Sequence, residues 1–509
     1  MPEDTNIMHS IFTDVLAVVK PTQQEIVNIQ IVAKDIISLV DKTAEDLQIE
    51  ARGELVGSAA RGTWLSGAHD LDIFITFPES TTSEELEANG ISIARKVAQG
   101  CEMEERYAQH PYIHMRYAGY EVDLVPCFKV KSASQIKSAV DRTPFHNRFI
   151  KEHINGMEDE VLLLKQFMKG CGAYGSELKN QGFAGYLVEL LVIHYGSFTD
   201  VLKAVSRWHH PVVIEDFVVY ADDGCARNRG FDEPLIVIDP TDPNRNVAAA
   251  VSLTRMYEFV DAARSFIQNP DYEYFFPKPV PAKTPAELKD IRHIRGSHLC
   301  ALVLDLPDMV DDVLYPQLRK TEQSIVALLQ RNDFSIIGSD VHLGESFVNS
   351  AANSAISFAI SSATNSAANS NHCGENEADC DTIGIDWNRL RKATVVFELL
   401  CSEIAGVERR MGPPVHVGMN AASFKDKHRD DPKDLSCVYI EGDRFMVDVV
   451  RQYTTAQALI EGNIHGISTG KHARVGLKRS FEILCDDELI NGATEDMCAV
   501  LTRLYLKTR

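Results

Sequence analysis

Gly57-Ser58-Ala59-Ala60-Arg61-Gly62-Thr63-Trp64, followed after five intervening residues by Asp70-Leu71-Asp72-Ile73-Phe74, is the stretch on which the fold turns. Leu71 to Phe77 is short, apolar, rich in β-formers and closed by a proline, so it reads as a strand. Residues i and i+2 of a strand share a face, so Asp70 and Asp72 offer oxygen donors within reach of one or two Mg²⁺ ions. Such a face is costly unless a cation neutralises it. Gly57 permits close backbone approach. Ser58 reads as the N-cap of a helix opening at Ala59, whose free N–H groups and hydroxyl can receive a triphosphate, with Arg61 pairing one phosphate.

An isolated Asp-x-Asp is usually a pair of solvated strand-edge acids. Tyr120-Glu121-Val122-Asp123-Leu124-Val125-Pro126 shifts the balance, because Asp123 interrupts an apolar strand and a buried charge needs a partner. Tyr112 to Tyr117 reads as the hairpin partner of that strand. Two carboxylates on one strand and a third on a neighbour are the minimum for two-metal nucleotidyl or phosphoryl transfer.

Outward from this core, apolar residues recur at three and four from Ser10 to about Ile49 (Ile26, Ile29, Val32, Ile36, Val40), an amphipathic helix with Pro21 near a start. Met157 to Arg207 is strongly helical, broken at Gly170 to Gly175. Beyond Pro234 short strands and helices alternate: Leu235 to Ile238, Ala248 to Phe266, Ala301 to Leu304, Thr321 to Gln330. The pattern predicts an α+β, multidomain chain: an α/β catalytic head over 1–145, a helical neck over 146–260, an α+β body over 261–445 and a tail over 446–509. Between Asn349 and Asn371, nineteen of twenty-three residues are Ala, Ser or Asn, a composition that cannot support a packed core. Residues 339–385 therefore read as a solvated insertion. Its His372, Cys373 and Cys380 lack the four-ligand spacing of a zinc site.

The 509 residues carry 51 Lys plus Arg against 73 Asp plus Glu, a net charge of -22 that repels polyanions at long range. A nucleic-acid site must then be a local basic concentration. Eleven cysteines, odd in number and without a Cys-x-x-Cys pair, suit a reducing compartment, and no stretch is apolar and long enough to cross a bilayer. The expectation is a cytoplasmic protein.

The runs Arg106-Tyr107-Ala108-Gln109-His110-Pro111-Tyr112, Ser138-Ala139-Val140-Asp141-Arg142-Thr143-Pro144-Phe145-His146, Gly182-Phe183-Ala184-Gly185-Tyr186-Leu187, Asp239-Pro240-Thr241-Asp242-Pro243-Asn244-Arg245-Asn246-Val247-Ala248-Ala249, Leu314-Tyr315-Pro316-Gln317-Leu318 and Arg409-Arg410-Met411-Gly412-Pro413 add a resemblance. With Gly57-Ser58, Asp70-x-Asp72 and Asp123, the chain resembles the nucleotidyltransferases of DNA polymerase beta type. More closely, it is similar to the archaeal, class I CCA-adding tRNA nucleotidyltransferases. That resemblance implies Mg²⁺-dependent, template-independent addition of C, C and A to the tRNA 3′ end from CTP and ATP. It implies metal ligation by Asp70, Asp72 and Asp123 and triphosphate contacts from Ser58, Arg61, Lys165 and Tyr174. It also implies His110, His146 and Arg245 around the sugar and base, and the acceptor arm of tRNA as partner; the sequence leaves the oligomeric state open, a homodimer being one candidate. Close relatives often carry Glu where Asp70 stands; either supplies oxygen ligands.

Without those motifs, Lys165 is a solvated helix position, Tyr174 covers a helix end, His110 is a structural histidine and Arg245 a loop charge. Basic residues that can meet RNA phosphates run from Lys129 to Lys151, then Arg389, Arg391, Lys392, Arg409 and Arg410, and Lys471, Arg474, Lys478, Arg479, Arg503, Lys507 and Arg509. An A-form acceptor stem, read by shape, suits such dispersion. A poly(A) or oligoadenylate polymerase shares the same head and uses ATP alone; a catalytically silent RNA-binding module is the remaining alternative.

Overall fold

The computed structural model describes residues 2–107, 109–130, 135–215, 230–344, 346–347 and 389–507. The chain divides into two compact units, Met1–Lys278 and Pro279–Arg509.

The first unit opens with α1 (Pro2–Val19) and α2 (Gln23–Asp46). The single amphipathic run expected from Ser10 to Ile49 is thus two helices. Pro21 precedes Thr22, whose side chain caps α2 in a capping box with Glu25. The head sheet comprises β1 (Arg52–Val56), β2 (Asp70–Pro78), β3 (Glu102–Tyr107), β4 (Pro111–Tyr117) and β5 (Tyr120–Lys129), in the order β1-β2-β5-β4-β3. Only β2 and β5 pair in parallel; β4 and β5 form the expected hairpin. A short helix, α3 (Gly57–Arg61), joins β1 to the β2 approach, and α4 (Ser83–Val97) follows β2.

Strand alternation decides where the acids go. Leu71, Ile73, Ile75 and Phe77 of β2, with Val122 and Leu124 of β5, lie in one core with Ile29, Val32, Ile36 and Val40 of α2 and Leu86, Ile91, Ile93 and Ala94 of α4. Asp70, Asp72 and Asp123 occupy the alternate positions and so share the opposite face. There a small cluster of Val56, Phe74 and Cys127 supports them.

A second core holds the helices α5 (Thr143–His153), α6 (Glu158–Gly170), α7 (Gly185–Tyr195), α8 (Phe198–Val205) and α9 (Leu253–Gln268). Phe167, Phe198, Phe259, Phe266 and Phe275 are fully buried there, meeting mainly edge to face. Val15 and Val19 of α1 belong to this core rather than to the head. A three-stranded sheet, β6 (Val212–Ile214), β7 (Leu235–Asp239) and β8 (Asp242–Asn246), lies beside the helices. The boundary expected after residue 260 falls inside α9, whose Met256, Phe259, Ala263 and Phe266 pack continuously into one core.

In the second unit, α10 (Pro285–Arg295), β9 (His298–Pro307), α11 (Asp311–Arg331), β10 (Ile336–Leu343) and β11 (Leu390–Leu399) precede a separate three-stranded sheet. That sheet comprises β12 (Val407–Pro414), β13 (Tyr439–Glu441) and β14 (Arg444–Val450), with α12 (Gly418–Lys427) between. The chain ends with α13 (Ala456–Asn463), α14 (Lys471–Arg479), β15 (Phe481–Cys485), α15 (Asp486–Gly492) and α16 (Glu495–Leu506). The main sheet, β10-β11-β9-β15, is buried on both faces: Cys300, Leu302 and Leu304 face one core, Leu299, Ala301 and Val303 another. That explains the unbroken apolar run of β9. The boundary expected after residue 445 cuts β14, which pairs with β12.

The insertion expected over 339–385 begins too early. Ser339 to Leu343 belong to β10 and pair with Phe397 to Ala393 of β11. Ser339, Asp340 and His342 mask the strand by their polarity, while Val341 and Leu343 are buried. Most of that span, including Asn349 to Asn371, His372, Cys373 and Cys380, lies outside the described residues.

Candidate active site

The parallel pairing of β2 and β5 sets Asp72 opposite Asp123 and Asp70 opposite Glu121. Asp70 is two residues from Asp72 on the same face, so three carboxylates converge as expected. Burial raises the Asp72 carboxyl to about 6, with Asp123 and Asp70 adding to the rise and Arg61 opposing it. Gly57 has φ +74°, and a Cβ there would run into Asp72 Oδ2. The backbone therefore closes against the acid in a way only glycine permits. A hard divalent cation fits this set of carboxylate oxygens, whose like charges add to the rise at Asp72 and would be relieved by a bound cation.

Ser58 is not the N-cap. The left-handed Gly57 turns the chain into helix two residues earlier, leaving Val56 at the cap position without a side-chain bond. The Ser58 hydroxyl is consequently not spent on capping, and its carbonyl accepts from Thr63 N at 3.2 Å. Arg61 Nε donates to Glu189 Oε1 at 3.0 Å and Nη1 to Asn147 Oδ1 at 3.5 Å. Lys165 is buried in α6, donates to the Thr63 carbonyl at 2.7 Å, and is pushed down to about 8 by desolvation, with Glu189 opposing the fall. Burial raises Tyr174 to about 12, Glu189 adding to the rise. Lys165 and Tyr174 meet at Gly185: a Cβ there would lie 3.2 Å from the Tyr174 hydroxyl and 3.5 Å from Lys165 Nζ.

Asp239 at the end of β7, fully buried, organises the other side. Its Oδ2 accepts from His146 Nε2 at 2.8 Å and Arg245 Nη1 at 2.7 Å. Its Oδ1 accepts from Thr241 N and Oγ1 at 2.8 and 2.7 Å and from Tyr186 at 3.3 Å. Burial pushes the Asp239 carboxyl up, but these donors outweigh it and hold it well below the usual carboxylate range. His146 is pushed down by desolvation, against the pull of Asp239, whose acceptor-only carboxylate takes the Nε2 proton's hydrogen bond. Tyr186 stacks on His146 with centroids 4.0 Å apart. Arg142, Glu233, Arg245 and Asn246 line a cavity of about 500 Å³ nearby.

His110 is not brought to this group. β4 runs antiparallel to β5, which puts His114 opposite Asp123 and leaves His110 four residues, about 13 Å, further along. There its Nδ1 lies 2.9 Å from Glu87 Oε1 of α4. His114, missed in the sequence, has Nδ1 2.7 Å from Asp123 Oδ1 and Nε2 3.0 Å from Glu121 Oε2. Glu189, Asp239 and Tyr186 were likewise missed as site residues. Glu189 carried a signal as an acid within the apolar helix α7, and Asp239 and Tyr186 lie in the runs that carry the resemblance.

In the second unit, His428, Asp431 and Asp434 have ligand atoms within 4.8 Å of one another. His428 Nδ1 lies 3.0 Å from both Asp434 oxygens, an ordinary hydrogen-bonded turn. Arg409 is engaged by Asp448 and Glu441, and Arg410 by Glu408, so the basic run of β12 is partly neutralised. Among the described residues no helix is long and apolar enough to cross a membrane.

Residues 36–146 match the nucleotidyltransferase domain family, 159–276 the second domain of tRNA nucleotidyltransferase, and 295–353 with 385–486 the C-terminal domain of CCA-adding enzyme. The chain is 41% identical over 491 residues to a CCA-adding enzyme of Methanosarcina acetivorans, covering 96% of each. It is 40% identical over 506 residues to that of Methanosarcina mazei, covering 99% of this chain and 100% of the relative. Against that of Haloarcula marismortui it is 36% identical over 472 residues, 92% of each.

Proposed function

Since the chain belongs to the archaeal CCA-adding enzyme family, we propose the following account of how its residues build a tRNA 3′ end. The protein is a tRNA nucleotidyltransferase that adds C, C and A without a template, releasing pyrophosphate at each addition. One observation carries the local assignment: the pairing register that faces Asp72 with Asp123 beside Gly57, within the field of Arg61.

Asp70, Asp72 and Asp123 would hold divalent ions, Mg²⁺ in our reading. When bound, the ions activate the terminal hydroxyl and neutralise the triphosphate and leaving pyrophosphate. The chain's own residues do the remainder. Arg61, Lys165 and Tyr174, with the Ser58 hydroxyl, grip the phosphates; the buried guanidinium and ammonium act in a medium where charge attraction is strong. His146 and Arg245, pinned by Asp239, frame the sugar and base. Arg245 offers hydrogen bonds that suit cytosine and adenine and not uracil or guanine. His110, bonded to Glu87, stands outside this group. A cytoplasmic setting and a homodimer complete the proposal; sedimentation equilibrium decides the second.

The test supplies Mg²⁺ and tRNA transcripts ending before CCA, after the first C and after the second C, with CTP or ATP singly and together. Sequenced 3′ ends that gain two C and one A and then stop support the account. Continued growth from ATP alone makes the protein a poly(A)-type polymerase instead.

A further inference from the structure

Glu189 is an acid in the middle of α7, among Leu187, Val188, Leu190, Leu191 and Val192, all fully buried. A carboxylate there needs partners to offset its desolvation. Its Oε1 accepts from Arg61 Nε at 3.0 Å and from the Thr63 hydroxyl. Thr63 in turn gives its carbonyl to Lys165 Nζ at 2.7 Å. One buried carboxylate thereby fixes two cations: Arg61 directly, and Lys165 through a threonine whose hydroxyl and carbonyl point opposite ways along the same chain of bonds. Glu189 Oε2 is buried with no hydrogen-bond partner, so its charge acts through space on Lys165.

A second observation is independent of these bonds. Gly185 lies one helical turn before Glu189, on the same face of α7. Its missing side chain keeps open a space bounded by the Tyr174 hydroxyl and Lys165 Nζ. Held at Nε and lightly at Nη1, the Arg61 guanidinium keeps Nη2 for a phosphate oxygen.

We propose that Glu189 is a positioning residue for the triphosphate, holding Arg61 and, through Thr63, Lys165 in place before nucleotide arrives. This rests on the reading of Arg61 and Lys165 as triphosphate ligands. Glu189 touches no reacting atom, so its effect falls on nucleotide binding, equally for both substrates. Misplaced cations weaken ground and transition states alike, which raises KM and spares kcat.

The experiment compares Glu189→Ala, Arg61→Ala, Lys165→Ala and the Glu189→Ala/Arg61→Ala double variant in the full chain. It measures KM for CTP, ATP and tRNA, and the affinity for inorganic tripolyphosphate by calorimetry without divalent metal. Expected for Glu189→Ala is a rise of about tenfold in KM for CTP and ATP by the same factor. KM for tRNA and kcat stay within about twofold, and tripolyphosphate affinity falls by about tenfold. The double variant binds tripolyphosphate more weakly than Arg61→Ala, because Lys165 is released as well, but by less than the product of the two single losses, because the Arg61 part is shared. Wild-type tripolyphosphate affinity in Glu189→Ala, or losses that multiply in the double variant, overturn the proposal. If Arg61→Ala and Lys165→Ala both bind tripolyphosphate like the wild type, the phosphate reading itself falls.

Should a melting curve show Glu189→Ala unfolded, Glu189→Gln answers through pH. It keeps an oxygen for Arg61 and Thr63 but removes the charge that opposes burial at Lys165, where Arg61 and Lys169 already act to depress it. Lys165 then loses its proton at lower pH, and the alkaline fall in tripolyphosphate affinity moves to lower pH. An unmoved midpoint overturns the proposal.

Discussion

Asp72 and Asp239 are the same side chain, both largely removed from water, with their carboxyls shifted in opposite directions. Asp72 sits on a strand face with Asp70 and Asp123, and burial with like charge lifts it to about 6. Asp239 takes five hydrogen bonds from His146, Tyr186, Thr241 and Arg245, and those donors keep it ionised despite burial. The difference separates two uses of a buried acid. One set is arranged to receive a cation from solution; the other spends all its acceptor capacity holding protein parts in place.

The comparison breaks first at activity. Asp123→Ala is expected to lower single-turnover transfer by about 10³-fold or more while tRNA binding by filter retention persists. An active Asp123→Ala protein would remove the acids of the head from the reaction. Asp239→Ala should act mainly on folding, leaving Arg245 and His146 unpaired; a loss of about 3–5 kcal/mol in urea unfolding is expected. A loss under about 1 kcal/mol would mean that Asp239 holds less than its five bonds suggest.

Proton linkage sharpens the contrast further. Asp72 titrates higher folded than unfolded, so its protonated form favours folding; that contribution is complete below about pH 4 and is lost as pH rises through 6. Without divalent metal, wild type should lose about 2 kcal/mol relative to Asp72→Asn between pH 4 and 7. Asp239 runs the other way: its carboxyl is lower when folded, so its stabilisation is present above about pH 4 and fades as pH falls. Parallel denaturation series in EDTA measure both slopes. Smallest of all, Gly185→Ala crowds Tyr174 and Lys165 without breaking a bond, and should raise KM for CTP and ATP by about threefold to tenfold with kcat nearly kept.

Much of the head was legible in the residues. Leu71 to Phe77, Tyr112 to Tyr117 and Glu121 to Val125 were readable as strands because alternation and Pro boundaries are local properties. The i, i+2 placement of Asp70 and Asp72 follows from strand geometry alone. Ser58 misled, since a serine before a small helix is a good cap until Gly57, with φ +74°, starts the helix early. His110 carried a family motif and His114 carried none, yet the antiparallel pairing of β4 with β5 delivers His114 to Asp123. β10 escaped notice because only Val341 and Leu343 mark its buried side.

By itself the sequence determined local form: where strands and helices lie, which acids share a face, and the family to which the motifs point. These follow from neighbours along the chain, through periodicity of 2 or 3.6 and through capping and turn chemistry. Tertiary structure alone decided which distant groups meet. Arg61 and Glu189 are 128 residues apart, Lys165 and Thr63 102, His146 and Asp239 93. No local period encodes such pairings. They arise when the apolar face of β2 is buried in the head core and those of α6, α7 and β7 in the second core, which fixes the backbone and leaves each buried charge only the partners that burial brings within reach.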